Sequence, residues 1–482
     1  MVGTDRVTPD TSIYGLVATV AGDGERTAEE VLLDGAAILR QFRDVNPPID
    51  KYSGDKPAPA PPDELQICSP KLKMHLSRVL ESGNTTALPE IMAYLETKKW
   101  AFPPELLPKL FDLCLKDDVL FRSVKPFFDN RAFWLIAQNP DWYGLDDNLA
   151  LLHWKELFNS QKKMALSAVV QENSGKALSF IENNWDKAGA KDREIFLQAI
   201  QVHPSELFIP ILHKSTTASQ KSIRKTAANI LASIPESEHY QFLASYARKL
   251  LIKGEWHIPD SYLKDTAHLN LPLEMKKGVH LSMKGAWLGN TIGYLAPTIW
   301  EEITGYTPAS AIPMLLDSPY RSEVFAGLTT AIVRHRDEHW REALIRYLWE
   351  NRAYSFAKMP GKVLLSNLSR ELFDRVALQM ARESTQMPEN GLLHLLIKYN
   401  DTKWSAALSR LLFSRFKKDL ERDTSNPAMM SGYKLMLEKA IHLIDRGVTE
   451  DIISEWPEQC ASWFYWEARV YRFKEGVVAR VF

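Results

Sequence analysis

Apolar residues in this chain recur at spacings of three and four, the pattern of helices that bury one face, and near the middle the whole unit returns at a step of 31 residues. QKKMALSAVV from Gln161, DREIFLQAIQ from Asp192 and IRKTAANILA from Ile223 superpose at that step. It pairs Met164 with Ile195, Leu166 with Leu197 and Ala228, and Val169 with Ile200 and Leu231. A shorter apolar stretch precedes the second and third helices at a matching offset, ALSFIENNW from Ala177 and LFIPILHKS from Leu207, so that Leu178 pairs with Ile209 and Phe180 with Ile211. Pro204 and Pro235 fall in register just past the second and third helices. Each unit therefore reads as two helices joined by a turn. One such pair cannot bury its inner face alone, whereas stacked pairs share a continuous core. The predicted fold is all-α, a HEAT/armadillo-like alpha-solenoid with irregular insertions.

The same pattern divides the chain. Residues 1–45 form an N-terminal helical segment whose helix runs from about Thr27 to Phe42, and residues 46–70 a proline-rich linker, with Pro47, Pro48, Pro57, Pro59, Pro61 and Pro62 and no periodic apolar residues. Residues 71–145 are a helical region and 146–252 the repeat core. Across 253–297 the helical period weakens and Gly254, Gly278, Gly285, Gly289 and Gly293 appear, which predicts a long irregular insertion, either a binding surface or a structural strap. Residues 298–482 return to helical repeats, closing with a long helix from about Met430 to Arg446 and an aromatic-rich end that holds a short strand at Val477–Phe482.

Composition narrows the class. Apolar residues make up 45% and charged ones 25%, enough to build a core, and Lys plus Arg number 59 against 60 Asp plus Glu, so no global charge recruits nucleic acid or an anionic membrane. The three cysteines, Cys68, Cys114 and Cys460, are far apart without CxxC spacing, which argues against a disulfide framework or a cysteine zinc site and suits a reducing cytoplasm. The apolar run Ile13–Ala21 follows Asp5 and Asp10 where a secretion signal carries basic residues, and no stretch approaches the ~20 apolar residues of a membrane span.

Few residues suggest chemistry. His335 and His339 are four apart, but Arg336 stands where a zinc protease has glutamate, and Asp337 makes a natural N-cap for the helix that follows, which would divide the two histidines. His335-Arg336-Asp337 spells a kinase tripeptide without the rest of the kinase set, and neither GxxxxGK[ST] nor GxSxG occurs. No catalytic residue, metal or cofactor is expected. Binding is better supported. The repeat step aligns Lys162, Arg193 and Arg224, with Lys163 and Lys225 alongside, as a basic ladder that would suit phosphates or an acidic peptide; Asp192, Glu194 and Glu206 intervene and equally suit a solvated face. A second basic group, Arg410, Arg415, Lys417 and Lys418, lies on one later helix. Trp463, Phe464, Tyr465 and Trp466 are too continuous for one buried stripe, which makes Trp463 and Trp466 a candidate partner surface.

In order along the chain, FPPELLPKLFDL, FWLIAQNPDWY, SIRKTAANILASIPES, APTIWEEITGYTP and DEHWREALIRYLW resemble the landmarks of an uncharacterised bacterial family of helical-repeat proteins. The resemblance implies genes lying beside those for a SWIM zinc-finger protein, a MoxR-type AAA ATPase and a VWA-domain protein. It implies an accessory or adaptor of that ATPase system. The expectation is a non-enzymatic cytoplasmic scaffold that binds a protein partner; the alternative is a HEAT-like protein that binds or modifies nucleic acid.

Overall fold

Helix follows helix from Pro70 to Arg422 in the computed structural model. It describes residues 57–62, 65–82, 85, 88–272, 282–353, 361–383, 391–400, 402–422, 443–445 and 448. The expected helix at Thr27–Phe42, nearly all of that at Met430–Arg446, the Val477–Phe482 strand, Cys460, Trp463 and Trp466 lie outside the described residues. Residues 57–62, within the expected linker, carry no regular structure and are largely exposed.

The helices are α1 (Pro70–Ser82), α2 (Leu88–Thr97), α3 (Leu107–Cys114), α4 (Asp118–Val124), α5 (Asn130–Ala137) and α6 (Asp147–Leu152). Next come α7 (Asn159–Glu172), α8 (Ser174–Trp185), α9 (Ala190–Val202), α10 (Ile209–Thr216), α11 (Lys221–Leu231) and α12 (Glu238–Leu250). The remainder are α13 (Met283–Tyr294), α14 (Thr298–Thr304), α15 (Pro308–Leu316), α16 (Arg321–His335), α17 (Glu338–Glu350), α18 (Arg370–Glu383), α19 (Leu392–Tyr399) and α20 (Ala406–Arg422), with one-turn helices at Tyr262–Asp265 and Lys362–Leu365. The strands among the described residues are two-residue pairs, β1 (Gln66–Ile67) parallel to β2 (Trp100–Ala101) and β3 (Leu251–Ile252) antiparallel to β4 (Glu255–Trp256). No described helix is long and apolar enough to cross a membrane.

Local chemistry sets many of the helix starts. Asp117, Asp129, Asp146, Asn173, Ser237, Ser282 and Asp337 each accept a hydrogen bond from an amide in the first turn of the helix that follows, satisfying a donor that has no partner inside the helix. Gly305 ends α14 at φ 71° and Arg336 ends α16 at φ 53°, both in the left-handed conformation that closes a helix.

Packing follows the 31-residue step. Leu166, Leu197, Ala228, Val169, Ile200 and Leu231 are all buried, and the second helices of the units, α7, α9 and α11, lie side by side in that order. Helix α8 packs on α7, and α10 on α11. Trp154 packs against α8 and α9, its ring 5.1 Å from that of Phe180 and 5.6 Å from that of Phe196. Further along, α15 packs on α17, α17 on α18 and α18 on α20. Among the described residues three large buried apolar clusters result, spanning Cys68–Met164, Trp154–Ile234 and Ala232–Val448, beside a small one of Ala150, Leu157 and Ala165. Cys68 and Cys114 are buried free thiols in the first.

The predicted irregular stretch is only half irregular. Residues 251–272 hold the β3–β4 hairpin, turned through Lys253 at φ 52° and Gly254 at φ 86°, and then isolated turns. Gly278 lies outside the described residues, and Gly285, Gly289 and Gly293 belong instead to helix α13, where they recur every four residues on one face. That face meets α16. A Cβ on Gly289 would stand 2.8 Å from the carbonyl oxygen of Glu323, and one on Gly327 would stand 2.6 Å from that of Gly289. Glycine costs a helix about 1 kcal/mol relative to alanine, which is why it predicts a loop; here backbone contact between two helices outweighs that propensity.

Gly289→Ala and Gly327→Ala should each destabilise the fold by ~1–3 kcal/mol through overpacking. Gly175→Ala, where the added methyl in the first turn of α8 meets only an ordinary contact at 3.7 Å, should be close to neutral. Urea unfolding midpoints test the contrast, and equal midpoints for all three would show that α13 and α16 do not touch through their backbones.

Candidate functional site

The aligned cations are engaged within the chain. Lys162 is 8% exposed; its Nζ lies 2.9 Å from Asp192 Oδ1 and 5.4 Å from the centre of the Trp154 ring, tying α7 to the start of α9. Arg193 donates from Nε to the carbonyl of Trp185 at 3.0 Å, the last residue of α8, and its guanidinium rests on the Trp185 ring. Arg224 donates from Nη1 to the carbonyls of Ala218 at 2.7 Å and Ser219 at 2.6 Å, in the turn after α10. The last carbonyls of a helix lack intrahelical donors and carry partial negative charge, so a guanidinium delivered from the next helix answers both needs. What recurs every 31 residues in Arg193 and Arg224 is a cap as well as a charge. Lys163 is exposed and Lys225 half-buried, one position further round their helices.

A related device gathers at the end of α16. Arg334 donates from Nη1 to Gly293 O at 2.8 Å and covers the Tyr294 ring at 4.8 Å. His335 Nε2 lies 2.8 Å from Tyr294 O, so the proton sits on Nε2, and burial holds the imidazole below its ordinary pKa of 6.5. Arg336 donates from Nη2 to Val202 O at 3.3 Å, reaching the end of α9. Asp337 then caps α17, accepting from the Trp340 amide at 3.0 Å, so His335 and His339 do fall on either side of a helix boundary. Among the described residues no three His, Cys, Asp or Glu side chains converge as metal ligands.

Between the ends of α9 and α11 on one side and α16 on the other lies a cleft of about 590 Å³, adjoined by a smaller cavity of about 190 Å³ against α13. Gln201, Asn229, Thr330 and Arg334 line both. His203, Ser233, Thr329, His335 and Arg336 add to the polar wall of the larger, and among the described residues neither cavity is lined by an aspartate or glutamate. Amides, hydroxyls, imidazoles and guanidinium groups line it, an array of hydrogen-bond donors and acceptors.

The site continues along the repeat. Asn229 stands one 31-residue step from Gln198, which stands one step from Ser167, and Gln201 is three residues from Gln198 on the same face of α9. Ser167 Oγ is buried without a hydrogen-bond partner. Lys163 and Lys225 lie four residues before Ser167 and Asn229, so they belong to this polar row while Lys162, Arg193 and Arg224 belong to the packed one. Trp463 and Trp466 fall outside the described residues.

Residues 1–481 match the model of a family of unknown function, DUF5691. The chain belongs to that family. No curated protein and no solved structure matches it. Membership assigns no chemistry to the cleft, so the reading of this family member rests on its own side chains. Gln201, Asn229 and Thr330 went unnoticed in the sequence, although Ser167, Gln198 and Asn229 in register gave a usable signal: polar residues repeating where an apolar face would not have them.

Arg193→Ala and Arg224→Ala should each cost ~1–3 kcal/mol in chemical denaturation by stranding helix-end carbonyls. The loss should persist near 1 M salt, where exposed ion pairs are screened within about 3 Å; a loss that salt abolishes would make these arginines simple surface charges. His335 gives a pH test. Its folded pKa lies below the ordinary 6.5, so as pH falls through 6.5 the unfolded chain takes up a proton that the folded chain refuses, and stability declines. Thermal midpoints measured from about pH 8 to about pH 5 should fall on the acid side, less steeply in His335→Asn; identical slopes would remove His335 from the account.

Proposed function

We propose that this chain is a non-enzymatic scaffold, an alpha-solenoid of HEAT-like repeats that grips an extended segment of a protein partner along the polar row of α7, α9 and α11 and anchors it in the cleft against α16. Nearest-neighbour packing of successive second helices supports the solenoid reading, since repeats stacked in one dimension touch mainly those before and after them. The observation that carries the function is continuity: a row of unburied or partnerless polar side chains in repeat register runs into an open cleft whose walls hold hydrogen-bonding and cationic groups. The family resemblance supports reading it as an accessory of a MoxR-type AAA ATPase and VWA-domain system, with a SWIM zinc-finger protein as a further candidate partner, and buried free thiols suit a cytoplasmic setting. The nucleic-acid alternative rested on a basic ladder, but Lys162 is ion-paired with Asp192, and Arg193 and Arg224 are tethered to carbonyls near the ends of α8 and α10 rather than lined up along one open face.

A photo-crosslinking residue at Gln198 or Asn229, expressed in the native host, should capture one and the same protein from both positions. A crosslinker at the exposed Glu182 on α8 should not. Capture from Glu182 alone, or from none of the three, would count against the scaffold.

A further inference from the structure

The chain that follows the β3–β4 hairpin lies along α12 and meets it at a cluster of histidines. We propose that His239 is an acid-sensitive latch: protonation of its ring loosens the turn at residues 266–270 from α12 and uncovers the apolar surface beneath. His239 stands half-buried in the first turn of α12, with the carbonyl of Leu269 against its ring. Its Nδ1 is buried and has no hydrogen-bond partner among the described residues, so the nitrogen that serves Leu269 is Nε2. The His213 ring, in the last turn of α10, lies 5.9 Å away. His268, next to Leu269 in the chain, rests its ring 4.8 Å from that of Phe242 on α12. Three elements thus each bring a histidine to the place where the turn is seated.

A neutral imidazole suits this place and an imidazolium does not. Protonation would put a donor on Nδ1, where no acceptor stands, and a full charge in a setting poor in water; a buried donor left unpaired and a buried charge each cost stability. Burial first, then the charge of His213 and, after it, that of His268 hold His239 below its ordinary pKa of 6.5, against the Leu269 carbonyl and Glu238, which favour the charged form. A turn that has lifted returns the ring to water and to its ordinary affinity for a proton. The lifted form therefore binds the proton more tightly, and falling pH favours it. The preceding residues stay tethered, since Tyr246 and Ser261 both donate to Asp265 Oδ2 at 2.9 Å, which confines the movement to the turn. What it exposes is Phe242 together with Leu269, now only 3% exposed.

Hydrogen exchange read by mass spectrometry on the full chain, corrected for the intrinsic effect of pH on exchange, measures the lifting. The amides of Leu269 and Asn270 donate within the turn, to Thr266 and Ala267, and report on it. Their protection should fall severalfold from about pH 7.5 to about pH 5.5, and by no more than about tenfold, the limit for one imidazole of ordinary pKa. Protection of α8, which carries no histidine, should stay constant. His239→Asn keeps a neutral donor for Leu269 with nothing to titrate, and should abolish the response. His213→Asn leaves the Leu269 contact in place but removes a charge that opposes protonation of His239, and should weaken it. Protection of the turn that ignores pH would overturn the latch, as would a response that survives His239→Asn. Should His239→Asn fail to fold, His213→Asn decides alone, and an undiminished response there would overturn the latch too.

Discussion

A helix that ends inside a helical array presents carbonyls to neither water nor an amide, and this molecule answers that demand repeatedly with arginine. Arg193, Arg224, Arg334, Arg336, Arg341 and Arg415 each donate to carbonyls at or just beyond the end of another helix. Leaving such a group buried and unpaired costs about 1–3 kcal/mol, a large part of the margin by which a domain is stable. The rows of helices, the joint at the end of α16 and the walls of the cleft all depend on it. A guanidinium suits the task better than an ammonium because its planar fork can serve adjacent carbonyls together, as Arg193 serves Trp185 through Nε and Asp186 through Nη2.

Much of the architecture was legible in the spacing of apolar residues, because burial imposes a strict period on any helix packed on one side. Leu166, Leu197 and Ala228 were paired by counting alone, and all three are buried in place. Asp337 was readable as a cap because its chemistry is local. Gly285, Gly289 and Gly293 were not readable as a helix, since glycine's intrinsic preference points to loops and only the distant partner Gly327 reverses it. No scan along one segment contains that partner.

The site was legible in part, for a related reason. A recurring cation is visible in sequence, but whether it faces solvent or a neighbouring helix end is decided by rotation through one residue, about 100° around the axis. Lys162 and Lys163 lie on opposite sides of that decision: the first is buried against Trp154 and Asp192, the second exposed. The cleft needs α16 brought beside α9 and α11, a juxtaposition that no local pattern encodes. Arg336 stood out in the sequence for a metal motif it does not complete, and its contact with Val202 emerges only in three dimensions.

That contact also bears on the order of events at the ribosome. It joins residues 134 positions apart, whereas the row of α7, α9 and α11 needs only neighbours to pack. At about 5–20 residues per second, on the order of ten seconds separates the emergence of the cleft's first wall from that of its second. During that interval Gln201 and Asn229 stand on a surface with nothing opposite, and the nascent chain has a groove only in outline. The cleft thus takes shape only once its second wall, Thr329 to Arg336, has arrived from the other half of the fold.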